Sequence, residues 1–167
     1  MAYLLDANVF IQAKRLHYGM DFCPAFWDWL CEQNQAGKVF SIEKVADELA
    51  AGADDLSEWA AGRGGGFFLA PDPLMLTALG TISQWVQGQQ YRPAAISTFL
   101  QDADYYLIAY ALAHEHVVVT HEVASDGVKK VKIPNVCIGV GIKCMNPFEM
   151  LRKERARFVL GGVRGIS

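Results

Sequence analysis

The chain predicts an α/β protein, a parallel sheet flanked by helices, and three observations carry that expectation. A short apolar run, Tyr3-Leu4-Leu5, ends at Asp6 and passes at once into an amphipathic stretch, which reads as strand, turn, helix. The β-branched run Val117-Val118-Val119-Thr120 follows directly on a helical stretch from Ala103 to His114, the rhythm of a βαβ unit. The composition, 52% hydrophobic, 11% aromatic and 20% charged, is that of a packed globule and lies outside the polar, aromatic-poor range of disordered chains. At 167 residues one domain spanning 1–167 is expected, since two full-sized domains would need more chain.

The remaining elements follow in order. Val9 to Leu16 gives the first helix, with Asn8 placed to cap it. Phe22, Phe26, Trp29 and Leu30 form a helical stripe within Phe22 to Gln35, and Gly37 closes it. A short helix from Ile42 to Ala51 comes next, then a helical stretch over 54–62 and a glycine-rich joint, Gly62 to Gly66, before the strand-like Phe67-Phe68-Leu69. No lysine-serine or lysine-threonine ends that joint, which argues against a phosphate-binding P-loop. Pro71 and Pro73 open a helix from Leu74 to Val86; Pro93 restarts the chain into Ala94 to Leu100 and then Ala103 to His114. Val136-Cys137-Ile138 offers one more strand, and Gly139-x-Gly141 lacks the third glycine of a dinucleotide fingerprint. Pro147 to Phe158 predicts a closing basic helix, 147–158, anchored by Phe148, Leu151 and Phe158.

No apolar run approaches the roughly 20 residues that span a bilayer, and the first residues show no charged-then-apolar leader. The cytoplasm is the expected location. Cys23, Cys31, Cys137 and Cys144 form no C-x-x-C pair, and His17, His114, His116 and His121 lack zinc-finger spacing; reduced thiols are expected. The net charge of −3 hides an asymmetry. From Lys129 onward nine lysines and arginines stand against two acids, whereas the rest of the chain carries six bases against sixteen acids. An acidic body can hold cations while a basic segment meets polyanions, although charge runs are commonly just solvated faces.

Ligands of a parallel sheet sit beyond the carboxyl ends of its strands. Asp6 closes the first strand, Glu122 lies two residues past Thr120, and Asp104 heads a helix, so the three are expected on one rim. Asp104 begins a stripe continued by Leu107, Ile108, Ala111 and Leu112, which places a carboxylate at the head of an apolar face. Asp102, two residues earlier, is better placed to cap that helix. Carboxylates about 4 Å apart repel by roughly 4 kcal/mol at an effective dielectric near 20. Protonation offsets such repulsion by raising one pKa, and hard divalent cations offset it by binding oxygen. The cation requires fewer coincidences, and it equips a site for phosphodiester hydrolysis by acidifying water and stabilising phosphoryl charge. Periodicity sets Glu43 and Glu48 on either flank of the Ile42, Val45, Ala46, Leu49 stripe and cannot choose between them; an exposed pair of Glu48 with Lys44 is the alternative. His121 reads as a loop residue beside the acids, and His114 and His116 suit a helix C-terminus. Lys129, Lys130, Lys132, Arg152, Lys153, Arg155 and Arg157 are candidates to track an RNA backbone, since phosphate contacts supply most sequence-independent affinity.

Four segments, Leu4-Leu5-Asp6-Ala7-Asn8, Val45-Ala46-Asp47-Glu48-Leu49, Ala103 through Ala111, and Val118-Val119-Thr120-His121-Glu122, resemble in order and spacing the PIN domain. The closest likeness is to an uncharacterised PIN-like branch related to VapC toxins, and it extends through Lys132-Ile133-Pro134 to the C-terminal helix. The resemblance implies a PIN-like (Rossmann-like) fold and a metal-dependent endoribonuclease using Mg²⁺ or Mn²⁺. It also implies a toxin neutralised by a partner antitoxin. The family's acidic cluster falls on Asp6, Glu48, Asp104 and Glu122, with Asn8 and Thr120 as polar supports and Asp102 nearby. Glu122 stands where an aspartate is commoner. Two further readings compete with this one: a catalytically silent PIN module that binds RNA or a protein, and a phosphatase with Asp6 as nucleophile. Asn8 weakens the latter because it stands where such enzymes carry a second aspartate. Helices of the first half, with Trp27, Trp29 or Trp59 as contacts, are candidates to meet an antitoxin or a second copy in a homodimer, against the commoner fate of tryptophan in a core.

Overall fold

The computed structural model describes residues 1–161. Five short strands form one parallel sheet in the order β3-β2-β1-β4-β5: β1 Tyr3–Leu5, β2 Val39–Ile42, β3 Phe68–Leu69, β4 Val117–Val119 and β5 Cys144–Met145. Tyr3 pairs with Val39 on one side and Val117 on the other, and Val118 pairs in turn with Cys144. Helices cover both faces, so the central strands β1 and β4 are buried along their whole length and read as continuous apolar runs rather than alternating ones. The chain lays down β1, β2 and β3 outward in one direction, then returns to the other side of β1 for β4 and β5. Strand order therefore reverses between β1 and β4, which is where an open parallel sheet leaves a crevice at its carboxyl edge.

The helices, in chain order, are α1 Ala7–Gln12, α2 Pro24–Gln35, α3 Glu43–Ala50, α4 Asp55–Ala61, α5 Pro73–Gln87, α6 Pro93–Gln101, α7 Ala103–His114, α8 Ile133–Val140 and α9 Pro147–Lys153. α1 continues into a π-helical turn, Ala13–His17, closed by the Tyr18 amide on the Ala13 carbonyl at 2.7 Å. Five of the twelve residues of α7 are buried, Tyr105, Leu107, Ile108, Ala109 and Ala111, because the helix is sandwiched between the sheet and α5. No helix among the described residues is long and apolar enough to cross a membrane.

Several expectations are corrected. Val136-Cys137-Ile138 lies in α8, not in a strand: Ile133, Val136 and Cys137 are buried while Ile138 is 74% exposed, a helical stripe at i, i+3, i+4 that three consecutive strand formers mask. Gly141, at φ +79°, ends that helix, and Gly139 lies so close under Trp85 that a Cβ would overlap the indole. The strand on that side is instead Cys144–Met145, with β2 as a further unanticipated one. Asp6, not Asn8, occupies the position before α1, and Asn8 lies inside the helix. The basic helix stops at Lys153, five residues early, where Arg155 takes φ +56°. Trp27 is buried and donates its indole N–H to the Tyr18 carbonyl at 2.7 Å, and Trp59 packs on it with rings 5.0 Å apart. Trp27 is thus a core residue, and Trp29 and Trp59 are half-buried against the same core.

Candidate active site

The crevice between β1 and β4 is built on one hydroxyl. Backbone pairing continues past the strands, the Asp6 amide donating to the Val119 carbonyl at 2.9 Å, so Asp6 and Thr120 emerge side by side. Both are buried, at 4% and 1% exposure. Thr120 Oγ1 donates to Asp6 Oδ2 at 2.8 Å and accepts from the Glu122 amide at 3.0 Å and from Asn8 Nδ2 at 3.3 Å. Asn8 Oδ1 in turn accepts from the His121 amide at 3.1 Å. One donor and two acceptor positions exhaust what a hydroxyl offers. The placement of Asn8 in the first turn of α1 serves this bridge and not the helix end.

Asp104 stands in the first turn of α7, and Asp102 precedes that helix with no side-chain cap hydrogen bond. Both line a cleft of about 310 Å³ whose other walls include Phe99, Lys129, Lys130 and Val131. Glu48 sits on the exposed flank of α3 and couples electrostatically to Asp102, Asp104 and Asp6. Lys44 lies instead over the Tyr106 ring at 4.4 Å, and no ion pair joins it to Glu48 among the described residues, so α3 turns Glu48 toward the acids.

Burial and like charge dominate the electrostatics. The Asp6 carboxyl is pushed up to about 7: desolvation is the main cause, the Thr120 hydroxyl pulls it down, and Glu122 pushes it up. Asp104 rises to about 8, from desolvation first and then from Asp6, Asp102, Glu122 and Glu48. Glu48 is raised by desolvation and by Asp102. Glu122 is occupied differently. Its Oε1 accepts the amide of Ile133, the first residue of α8, at 2.8 Å, and Oε2 faces Lys130 Nζ at 3.6 Å. A carboxylate at a helix N-terminus meets unpaired amides and the positive end of the dipole.

Among the described residues no three His, Cys, Asp or Glu side chains are grouped so that they could hold a metal ion. The donor set that faces the cleft is nonetheless carboxylate oxygen, the ligand type of hard divalent cations, of which Mg²⁺ needs only one or two carboxylates beside water.

The cations divide. Lys129 and Lys130 line the cleft beside Asp104, and Lys132 directly precedes α8. Arg152 and Lys153 end α9, where the next residue, Glu154, bonds Tyr3 Oη at 2.6 Å and Lys38 Nζ at 3.1 Å. Those partners stand at the starts of β1 and β2, so Lys153, Arg155 and Arg157 run toward the edge of the sheet opposite the acids. His114 Nε2 meets Asp72 Oδ2 at 2.6 Å and His116 Nδ1 accepts the Ala2 amide at 3.1 Å, which places both away from this site. His121 remains beside it, its ring 5.6 Å from His17 and 5.8 Å from Phe148. Sequence reasoning missed that ring cluster, because its members come from three distant segments.

A family model described as "Domain of unknown function (DUF4411)" matches residues 3–158. The chain belongs to this family. No curated protein matches it. Among solved structures, the chain is similar to VapBC2 from Rickettsia felis, described as bound to a DNA fragment from their promoter, at 12% identity and a TM-score of 0.53, covering 87% of this chain and 98% of that one. At that identity the likeness concerns the fold. This DUF4411 chain accordingly has the PIN-like α/β architecture expected from its sequence, with the parallel sheet and flanking helices in place.

Proposed function

We propose that the protein is a metal-dependent endoribonuclease, acting as the toxin of a toxin–antitoxin pair. The single observation that carries this reading is the juxtaposition at the strand crossover. There, Asp6 and Asp104 are both driven toward protonation, by burial first and then by neighbouring carboxylates, Glu122 and Glu48 for Asp6 and Asp6, Asp102, Glu122 and Glu48 for Asp104, beside a cleft walled by Lys129 and Lys130. A divalent cation, Mg²⁺ or Mn²⁺, would be held by Asp6 and Asp104 with Glu48 as a further acid. Bound there, it would supply an acidified water and a counter-charge for the phosphoryl oxygens. The chain's own residues do the rest. Thr120 fixes one oxygen of Asp6 and keeps that carboxylate aimed, while Asn8 locks Thr120 and the following loop. Glu122, among the family's acids by resemblance, holds the N-terminus of α8 and Lys130, and so positions the lysines that receive the RNA backbone. The similarity to a VapBC2 chain supports an antitoxin as the partner, and the whole chain serves as one catalytic unit in the cytoplasm.

Replacing Asp104 with Asn and assaying RNA cleavage with Mg²⁺ or Mn²⁺ tests the proposal. A loss of about 10²-fold or more is expected from removing charge stabilisation of this kind, and unchanged cleavage would overturn it. One observation favours a second reading, a catalytically silent module that binds RNA: both Glu122 oxygens are turned to protein groups, and no three-residue metal cage stands ready among the described residues. Wild-type protein that binds RNA and cleaves none with any of several divalent metals would select it.

A further inference from the structure

Beside the carboxylates, on the side away from Lys129, lies a second pocket of about 430 Å³, lined by His121, Glu122, Ile142, Met145, Asn146 and Phe148 among others. Its volume is in the range of small-ligand sites. Glu122 lines it and repels Asp6 and Asp104, so the pocket adjoins the acidic site. Its rim is aromatic. The His17 ring stands edge-on to Phe148 at 5.1 Å and 85°, and the His121 ring lies 5.8 Å from Phe148 at 65°. Rings that meet edge to face leave flat surfaces uncovered, and His17 is exposed while His121 and Phe148 are half-buried.

The rings do not float. The His121 amide is held by Asn8 at 3.1 Å, and the residue before it, Thr120, is bonded to Asp6. Phe148 lies in the first turn of α9, which the reciprocal Asn146–Glu149 hydrogen bonds fix at its start. An aromatic surface is therefore anchored at a set offset from the carboxylates. An apolar wall of Ile142 and Met145 lies below it, and Lys129 and Lys130 stand across the acids on the other side.

We infer that this pocket is a nucleobase subsite. A single-stranded RNA whose phosphate lies at the carboxylates stacks the adjacent base against Phe148 and the His17–His121 rings, and passes its other side over the lysine-walled cleft. Unpaired bases are the parts of RNA that proteins stack on aromatic side chains, and stacking tolerates any base because each has a π-face. The inference rests on the ribonuclease reading and adds to it a contact that selects unpaired RNA over backbone charge alone.

The test is fluorescence anisotropy on the full chain, with Ca²⁺ present, using a labelled single-stranded RNA decamer and an abasic ribose-phosphate decamer of equal charge. The wild type is expected to bind the RNA more tightly. Phe148→Leu, which keeps apolar volume and removes the π-face, is expected to weaken RNA binding about tenfold and leave the abasic oligomer unchanged. Phe148→Tyr should restore the difference. His17→Ala, at an exposed ring, gives a second, smaller loss on the RNA arm without a packing defect. Equal binding of the two oligomers by the wild type overturns the subsite while leaving the ribonuclease reading intact, as does an equal effect of Phe148→Leu on both. Failure of the wild type to bind either oligomer overturns the RNA reading and the subsite with it.

Discussion

Asp6 and Asp104 repel one another at the same rim, yet they are held on different terms. Asp6 accepts a 2.8 Å hydrogen bond from Thr120, whose hydroxyl also ties Asn8 and the Glu122 amide. Asp104, Asp102 and Glu48, across from it, have no side-chain hydrogen bond or ion pair among the described residues. The strand wall is assembled before any ligand arrives, because its polar groups come from strand ends whose spacing backbone pairing has already set. The helix wall carries acids on α3, on α7 and just before it, with nothing among the described residues to neutralise them. Its cost appears in the raised pKa values of Asp104 and Glu48, and Asp6 shares it, since burial lifts its carboxyl to about 7 despite the Thr120 hydrogen bond. Fully satisfied buried networks rigidify, whereas unpaired buried charge is held only at an energetic cost. The strand wall therefore supplies position, and both walls supply demand for a cation.

The largest effects that would break this contrast are on stability without metal. A carboxyl whose folded pKa lies above its unfolded value near 4 stabilises most at low pH. That contribution is lost as pH rises through the folded values, about 7 for Asp6 and about 8 for Asp104. Asp104→Asn removes the repelled charge, so it should unfold at a higher temperature than wild type at pH 8 in EDTA, by several degrees, with the gap closing toward pH 5. Thr120→Val keeps the shape and strands the buried Asp6 oxygen together with the half-buried Asn8 amide and Glu122 N–H, so it should lose about 1–3 kcal/mol, more at pH 8 than at pH 5 because the hydroxyl favours the ionised Asp6 carboxyl. Thermal melts of both variants at pH 5 and pH 8 check the two signs. A gain for Asp104→Asn as large at pH 5 as at pH 8 would mean that the helix wall stores no repulsion.

The two groups of cations sharpen the same contrast with a smaller effect. Lys129 and Lys130 share the cleft with Asp104, while Arg155 and Arg157 follow Glu154, which bonds Tyr3 and Lys38 at the far ends of β1 and β2. Removing one phosphate-binding cation flattens the plot of log affinity against log salt by about 0.7 for a single strand. Replacing Lys129 and Lys130 together with alanine should reduce the slope for single-stranded RNA by about 1.4, and replacing Arg155 and Arg157 should leave it unchanged. Equal slopes for the two double variants would put RNA on the other edge of the sheet.

Legibility in the sequence follows the reach of each signal. Asp6, Thr120 and Asp104 can be placed because strand ends and helix starts at the rim of a parallel sheet are local features. Their order then follows from the crossover between β1 and β4. β2 and β5, at four and two residues, are too short for a period to show. α8 departs from the strand expected there because Val136-Cys137-Ile138 matches a strand locally while its burial follows a helix. The hold of Glu122 on Ile133, eleven residues away, depends on where α8 begins. The direction of the basic segment depends on Glu154 reaching Tyr3 across 151 residues of sequence. Charge patterning records sign and not heading, so seven candidate cations cannot be sorted until their neighbours are known.

The smallest effect concerns α3, where periodicity leaves Glu43 and Glu48 equivalent. The helix buries Val45 and Leu49, and this fixes its rotation. Glu43 then falls beside Lys44, Tyr106 and Tyr110 in a groove away from the acids, and Glu48 falls where Asp102 raises its pKa. Because Glu48 is exposed and supplements Asp6 and Asp104, its loss should cost less than theirs. Glu48→Gln is expected to slow RNA cleavage about tenfold at fixed Mn²⁺, with part of the loss recovered at higher metal concentration, since a missing acid weakens cation binding before it alters chemistry. Glu43→Gln should leave both rate and metal dependence unchanged. Equal behaviour of the two variants would show that the rotation of α3 does not matter to the site, and would leave the helix wall to Asp104 and Asp102 alone.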